Sequence, residues 1–422
     1  MSRGTSVPER RSAVKLVDID IGPSPERAGH SRLSGVVRYD DARGGPAEEV
    51  FWFEVPDTFA GDLSASGNAW LAMLLPVAIA SDERLVLSRP VDPQLLDGAR
   101  DLMLAWREFH PQDPDVAIEA EVDSTARLAG ARSASFFSGG VDSFHTALRP
   151  RAAPLDELIL ALGSFDTARG DRASYARIEA RMRRAADLLG KTLVPVTTNQ
   201  MRTSRISSAL ALRSAHSLLA ALALALEDRY ARVLYSSWAD HRWRVHDPDY
   251  TLIVQLLSTR RTRFENEGVS FYRVEKIVAI AESEAARETL RVCYQSGHED
   301  NCMRCAKCLR TAVALEALGG LERWPTFGGK ALTARQAGRT TITRIAERHY
   351  WEELPPLCRR HGREDLARAA ERVLARARLL DPFRPFVRRL RRNPRVAGWT
   401  HRAEALIQDV DPLSLRPRGG KK

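Results

Sequence analysis

The run SASFFSGGVDS, from Ser133 to Ser143, decides the fold. Ser133–Phe137 is an apolar run typical of a buried strand, and a short helix is predicted after Ser143. Paired glycines let the backbone turn tightly and approach an anion without Cβ clashes, and the following helix N-terminus favours negative charge. The alternative is an ordinary glycine turn at a helix start; no Gly-Lys-Ser/Thr follows, so this is not a Walker A loop. We predict a phosphate-binding loop made of Ser138, Gly139, Gly140, Val141, Asp142 and Ser143.

Strands and helices alternate downstream of this loop. Chains of this kind form βαβ units with a parallel sheet, and ligands bind at the carboxyl ends of the strands. The predicted fold class is therefore α/β, with a doubly wound parallel sheet. The predicted strands are Glu157–Leu162, Thr192–Val196 and Arg232–Ser236, and the predicted helices are Arg172–Leu189 and Ser207–Glu227.

The chain of 422 residues is long enough for more than one domain. We predict a flexible arm over 1–30, an α+β domain over 31–130, a nucleotide-binding domain over 131–290, a metal-binding module over 291–320 and a helical basic extension over 321–422. Within the α+β domain the pattern predicts strands at Gly35–Tyr39, Val50–Val55 and Arg84–Leu87 and helices at Asn68–Ala80 and Pro93–Glu108. The extension contains an amphipathic helix, Glu364–Leu380.

Four of the five cysteines fall close together, at Cys293, Cys302, Cys305 and Cys308. C-x2-C turns direct thiolates toward one point, and four thiolates suit a closed tetrahedral zinc site. A disulfide pair, a redox-active C-x-x-C and an iron–sulfur cluster are the alternatives. The spacing favours structural Zn²⁺, with no ligand position left open for catalysis.

The turn Ser138–Ser143 resembles the signature of the PP-loop, or N-type ATP pyrophosphatase, superfamily. The resemblance implies that ATP is cleaved between its α and β phosphates and that a carbonyl or carboxylate oxygen is adenylated. Pyrophosphate would lie in the loop with Mg²⁺, and ammonia, an amine or a sulfur donor would attack the activated carbon.

Together with the cysteine spacing, the loop resembles the 7-cyano-7-deazaguanine synthases of queuosine-precursor biosynthesis, over roughly Ser133 to Leu318. That resemblance implies a ligase that uses ATP and ammonia to convert a carboxylate on a 7-deazaguanine-like heterocycle into an amide and then a nitrile. It also implies zinc at the four cysteines and catalytic roles for Asp142 and Lys276, with Lys276 contacting phosphate. The alternative for Lys276 is an exposed helix lysine.

The segment after Ser236 departs from the pattern of those synthases. It reads SWADHRWR from Ser237 to Arg244. The indole of Trp238 can stack on a heterocycle, and polar neighbours can hydrogen-bond it or move protons. A charged surface loop would read similarly. The candidate substrate-binding residues are Asp166, Trp238, Asp240, His241 and Arg242.

The net charge of +10 is concentrated in the tail. Arg359–Lys422 carries 18 Lys and Arg against 7 Asp and Glu, so the preceding residues carry a net charge of −1. The tail is either a solvated helical appendage or the contact for a protein or nucleic-acid acceptor. No apolar run approaches the roughly 20 residues of a membrane span, and we expect a cytoplasmic protein without a signal peptide or a membrane partner.

Two other functions share the phosphate loop. One joins a deazapurine acid to a protein amine in antiviral defence. The other is tRNA thiolation, which commonly needs a reactive cysteine beyond the metal ligands, and only Cys358 remains for that role. A non-enzymatic, zinc-braced nucleotide-binding scaffold is the remaining alternative.

Overall fold

The computed structural model describes residues 12–42, 45–125, 130–164, 171–240, 253–293, 300–342 and 345–380. The described strands are β1 Ala13–Pro23, β2 His30–Tyr39, β3 Glu48–Pro56, β4 Arg84–Leu87, β5 Ile118–Glu119, β6 Arg132–Phe136, β7 Glu157–Leu162, β8 Thr192–Thr198, β9 Tyr230–Ser236 and β10 Arg263–Glu267. They form one sheet in the order β10-β9-β6-β7-β8-β3-β2-β1-β4-β5.

The sheet is mostly parallel. The strands from β10 to β8 pair in parallel, β8-β3-β2-β1 pair antiparallel, and β4 and β5 continue in parallel beside β1. The predicted α/β class is therefore confirmed, and the arrangement is compatible with a doubly wound fold. β3 joins the region before residue 130 to the region after it by pairing with β8, with Phe53 opposite Thr198 and Glu54 opposite Thr197.

The described helices lie mainly between the parallel strands and in the last third of the chain. They are α1 Asn68–Ser81, α2 Pro93–Phe109, α3 Val141–Leu148, α4 Arg172–Leu188, α5 Ser208–Arg213, α6 Ala215–Leu224, α7 Arg273–Ile280, α8 Glu284–Thr289, α9 Ala306–Ala317, α10 Ala334–Ala337, α11 Ile345–Glu352, α12 Leu354–Arg360 and α13 Glu364–Leu380. Every residue of α1 except Ala80 is buried. A helix that is apolar on all sides belongs in a core, and α1 packs on α6.

Two sequence predictions need correction. Residues 13–23 lie in the segment interpreted as a flexible arm, but they form β1, with Val14 and Leu16 buried. β1 is held by pairing with β2 and β4, contacts that local sequence does not reveal. The single helix predicted over Ser207–Glu227 is two helices broken at Ser214, whose hydroxyl donates to the Leu210 carbonyl at 2.6 Å.

The close approach of β2 to α1 gives a test of this packing. A Cβ on Gly35 would lie 2.4 Å from the ring of Trp70, which is fully buried against Phe53. We predict that Gly35→Ala lowers the free energy of unfolding by about 1–3 kcal/mol, because the core must shift to admit the methyl group. Urea denaturation measures this, with Gly61→Ala as the control, since a Cβ there meets no atom within 4 Å. Equal stability of the two variants would contradict the packing.

Candidate functional site

The turn after β6 has a backbone conformation that requires glycine. Gly139 has a φ of +73°, and a Cβ there would lie 2.6 Å from the Met182 side chain on α4. Gly140 is the residue before α3, and its carbonyl accepts from the Ser143 hydroxyl at 3.0 Å. The turn therefore runs directly into the N-terminus of α3, where the first backbone N–H groups have no partner within the helix.

Two cations hold the Asp142 carboxylate in the first turn of α3. Arg273 donates to its Oδ2, and Lys276 Nζ lies 3.3 Å from its Oδ1. Lys276 also donates to the Ser237 carbonyl at 2.5 Å, so it links α7 to the loop after β9. Burial alone would raise the pKa of Asp142, but Arg273 and Lys276 outweigh it and lower the pKa to about 2. Asp142 is therefore ionised at neutral pH.

Lys276 is not an exposed helix lysine, because only 2% of it is accessible. Arg273 was missed by the sequence reasoning, although it lies three residues before Lys276 on the same face of α7. That Arg-x-x-Lys spacing, directly after a tyrosine helix start, is the signal that could have identified it.

Two buried rings lie close to the Asp142 ion pairs. Burial and the nearby Lys276 lower the pKa of His145 to about 4, so this ring is neutral at pH 7. Tyr350 donates to the Trp238 carbonyl at 2.6 Å, and burial raises the pKa of its phenol well above the usual range. Tyr350 thereby connects the C-terminal helices to the loop after β9.

A cavity of about 280 Å³ opens at the carboxyl ends of β6, β7 and β9. Part of its lining is apolar, and the turn residues Ser138, Gly140, Asp142 and Ser143 also line it. Three cations also line it: Arg273, Arg291 and Lys307. The apolar part includes Phe136, Ile159, Ile178, Leu219 and Tyr235. Such a cavity suits an anion attached to an apolar or aromatic group.

The predicted substrate-binding residues separate in the structure. Trp238 lines the cavity. Asp240 is buried, and its Oδ2 lies 3.4 Å from His349 Nε2 on α11. Asp166, His241 and Arg242 lie outside the described residues, so their predicted roles stay predictions.

The four clustered cysteines converge. Their sulfur atoms all lie within 4.8 Å of one another, and the cysteines are free thiols. Backbone N–H groups of Cys305 and Cys308 donate to Cys302 Sγ and Cys305 Sγ, each at 3.4 Å. Four thiolates so arranged can hold a metal ion such as zinc.

The cysteine group is physically joined to the cavity. Arg291 lies two residues before Cys293, and its backbone N–H donates to the Gly139 carbonyl at 2.8 Å. Lys307 stands between Cys305 and Cys308 and lines the cavity wall. An ion held by the cysteines would therefore brace the cations that face the turn.

A second group of side chains that could hold a metal ion joins the loop after β9 to α11 and the residue that follows it. The ligand atoms of Asp240, His349 and Glu353 lie within 4.8 Å of one another, and His349 Nε2 is 3.9 Å from Glu353 Oε1. Glu353 also accepts from the Val274 N–H at 3.0 Å, which connects this group to α7.

Comparisons of the chain with protein-family models, with curated proteins and with solved structures find no match. Within the described ranges, no helix combines the length and the apolar character needed to cross a lipid bilayer.

The cysteine group gives a prediction about metal content. We expect Cys305→Ser to lose the bound metal and to lower the thermal midpoint, because three thiolates bind zinc less tightly than four. Elemental analysis of the purified protein measures this. Cys358→Ser is the matched control, since Cys358 is also a buried free thiol but lies outside the group. Unchanged metal content in Cys305→Ser would contradict the assignment.

The lowered pKa of Asp142 predicts a pH-dependent contribution to stability. Its pKa is about 2 in the folded chain against 3.8 for an unperturbed aspartate, so the stabilisation is complete above about pH 4 and is lost as the pH falls toward 2. We expect Asp142→Asn to be less stable than wild type by about 2 kcal/mol at pH 7. Urea denaturation between pH 3 and 7 should show the gap shrinking below pH 4. Asp97→Asn, at an exposed ion pair, should show a small gap throughout.

Proposed function

We propose that this chain is an ATP-dependent carbon–nitrogen ligase that activates a carboxylate by adenylation in the cavity beside Ser138–Ser143. One observation carries the proposal. A turn that requires glycine, the N-terminus of α3 and three cations all face the same cavity at the carboxyl edge of a parallel sheet. Backbone N–H groups and cations at such an edge favour binding of a phosphate chain.

In the proposed reaction a carboxylate oxygen attacks the α-phosphorus of ATP. The bond from that phosphorus to the bridging oxygen breaks, and pyrophosphate leaves with the electron pair. Arg273, Arg291 and Lys307 stabilise the negative charge that develops on the leaving group. A nitrogen nucleophile then attacks the acyl carbon, releases AMP and loses a proton.

Asp142 and Lys276 have positioning roles in this scheme. Asp142 holds Arg273 at the cavity wall, and Lys276 holds both Asp142 and the loop after β9. Both Asp142 oxygens face cations, so the described arrangement does not present this carboxylate as a ligand for Mg²⁺. We therefore assign the charge stabilisation to the arginines and Lys307.

The four cysteines fit a structural zinc ion, because four sulfur ligands leave no position for a substrate. Such an ion supplies rigidity. In the proposed enzyme it keeps Arg291 and Lys307 at the cavity, since both lie within two residues of a cysteine ligand.

The substrate class rests on resemblance. The loop resembles that of the PP-loop superfamily, and the loop and cysteine spacing together resemble the 7-cyano-7-deazaguanine synthases. We therefore propose an acid on a 7-deazaguanine-like heterocycle, with an amide or nitrile as product. Trp238 at the cavity offers a ring for stacking. Conjugation of the same acid to a protein amine keeps the adenylation step and changes the acceptor.

The structure weighs against tRNA thiolation. The only cysteine outside the cluster, Cys358, is fully buried, and burial raises the pKa of its thiol to about 11. A sulfur carrier needs an accessible thiolate, which this side chain does not provide at neutral pH.

Lys307 offers a test of the cavity. We expect ATP–pyrophosphate exchange that depends on a 7-deazaguanine acid, and we expect Lys307→Ala to slow the exchange by about 10²-fold while metal content stays unchanged. Lys330→Ala, at an exposed lysine outside the cavity, should keep the wild-type rate.

Exchange that is equally fast in Lys307→Ala and wild type would contradict the assigned role of the cavity. Exchange with other carboxylates, but none with deazaguanine acids, would retain adenylation and reject the substrate class. The mass of the product formed with ammonia, or of a protein co-expressed with the chain, then distinguishes amide or nitrile from conjugate.

A further inference from the structure

A second cavity of about 280 Å³ lies where the N-terminal strands meet α4 and the end of β8. Its lining comes from three separate parts of the chain. Arg32, Trp52 and Glu54 belong to β2 and β3, Tyr175 belongs to α4, and Arg202 follows β8. The site therefore exists only because β3 pairs with β8.

The two cavities are neighbours along the same edge of the sheet. Thr197 and Thr198, the last residues of β8, line the second cavity, and Ser164, just after β7, lines the first. Gln200 Nε2 donates to Ser164 Oγ at 2.7 Å. On α4, Tyr175 lines the second cavity and Ile178 lines the first, about 5 Å farther along the helix.

A buried carboxylate faces the second cavity. Glu54 is 4% exposed, and the hydrogen bonds it accepts within the described residues all end on Oε2, from Ser24 at 2.5 Å and from Arg32 at 2.8 and 3.2 Å. Glu54 Oε1 receives none of these bonds. A buried carboxylate oxygen that lines a cavity is an acceptor for N–H groups of a ligand.

Cations and aromatic rings supply the other walls. The Arg32 guanidinium covers the Trp52 ring at 4.1 Å, so that face of the indole is occupied. The Tyr175 ring and the exposed Arg202 also line this cavity, with the Arg202 guanidinium 6.0 Å from the centre of the Tyr175 ring and its Nη2 3.5 Å from the Tyr175 hydroxyl. Arg27 and Arg172 also line the cavity. Arg27 pairs with Glu179, and Arg172 pairs with Glu26.

We propose that this second cavity takes up the acid first, before the acid moves to the neighbouring first cavity for activation, which rests on the proposed function. The chemical class is a planar aromatic acid with an N–H-bearing edge. Its N–H groups donate to Glu54 Oε1, its ring lies beside Tyr175, and Arg202 pairs with its carboxylate. The N-terminal strands thereby determine which acid the enzyme accepts.

Binding is tested without nucleotide, so that its outcome is independent of catalysis. Isothermal titration of the full chain uses pterin-6-carboxylate, a planar acid with N–H donors, and 2-naphthoate, a planar acid without them. We expect pterin-6-carboxylate to bind more tightly than 2-naphthoate. Arg202→Ala should weaken the binding of both acids at least tenfold, whereas Arg183→Ala, at an exposed arginine of α4 outside the cavity, should not.

Glu54→Gln tests the acceptor separately. It should remove the preference for pterin-6-carboxylate over 2-naphthoate, because the Gln oxygen stays with the donors of Ser24 and Arg32 and the NH2 group, which cannot accept, then faces the cavity. If Glu54→Gln does not fold, Arg202→Ala still decides the matter, since Arg202 is exposed. No binding of either acid, or binding unaffected by Arg202→Ala, overturns the inference.

The two proposals fail in different ways. Acid binding that depends on Arg202, without acid-dependent ATP–pyrophosphate exchange, rejects the adenylation and keeps the pocket. Exchange whose KM for the acid is the same in Arg202→Ala and wild type rejects the pocket and keeps the adenylation.

Discussion

The ion pairs of Asp142 with Arg273 and Lys276 are the constraint on which the site depends. They join α3, α7 and the loop after β9, three elements that are far apart in sequence. Because the three charges are largely withdrawn from water, removing one leaves the others without compensation. The two ion pairs therefore hold Arg273 at the cavity wall and hold the first turn of α3 in place without a ligand.

The cysteine group is connected to the same cavity through Arg291 and Lys307. The hydrogen bond from the Arg291 N–H to the Gly139 carbonyl attaches the segment before Cys293 to the glycine turn. Lys307 lies on the first turn of α9, between two cysteines, and faces the cavity. A metal ion held by the four cysteines would therefore brace Arg291 and Lys307 at the cavity without an open ligand position of its own.

The continuous sheet explains how a chain of this length acquires two adjacent cavities. Pairing of β3 with β8 places strands from before residue 130 beside the parallel strands that follow residue 130. Glu54 then lies opposite Thr197, and both line the second cavity. The N-terminal region therefore supplies part of the lining of the second cavity, at the edge of the sheet where the first cavity also lies. Residues from both regions line this second cavity.

Local patterns in the sequence were sufficient for the elements whose formation is local. The alternation of strands and helices predicted β7 at Glu157–Leu162 and the α/β class, and the C-x2-C spacing predicted a group of converging thiols. The tertiary structure alone decided that residues 13–23 form a strand, that Arg273 and Arg291 reach the cavity, and that Glu54 faces a second one. The physical reason is that pairing and burial bring together residues distant along the chain, and no local periodicity records which distant strand or side chain will be the partner.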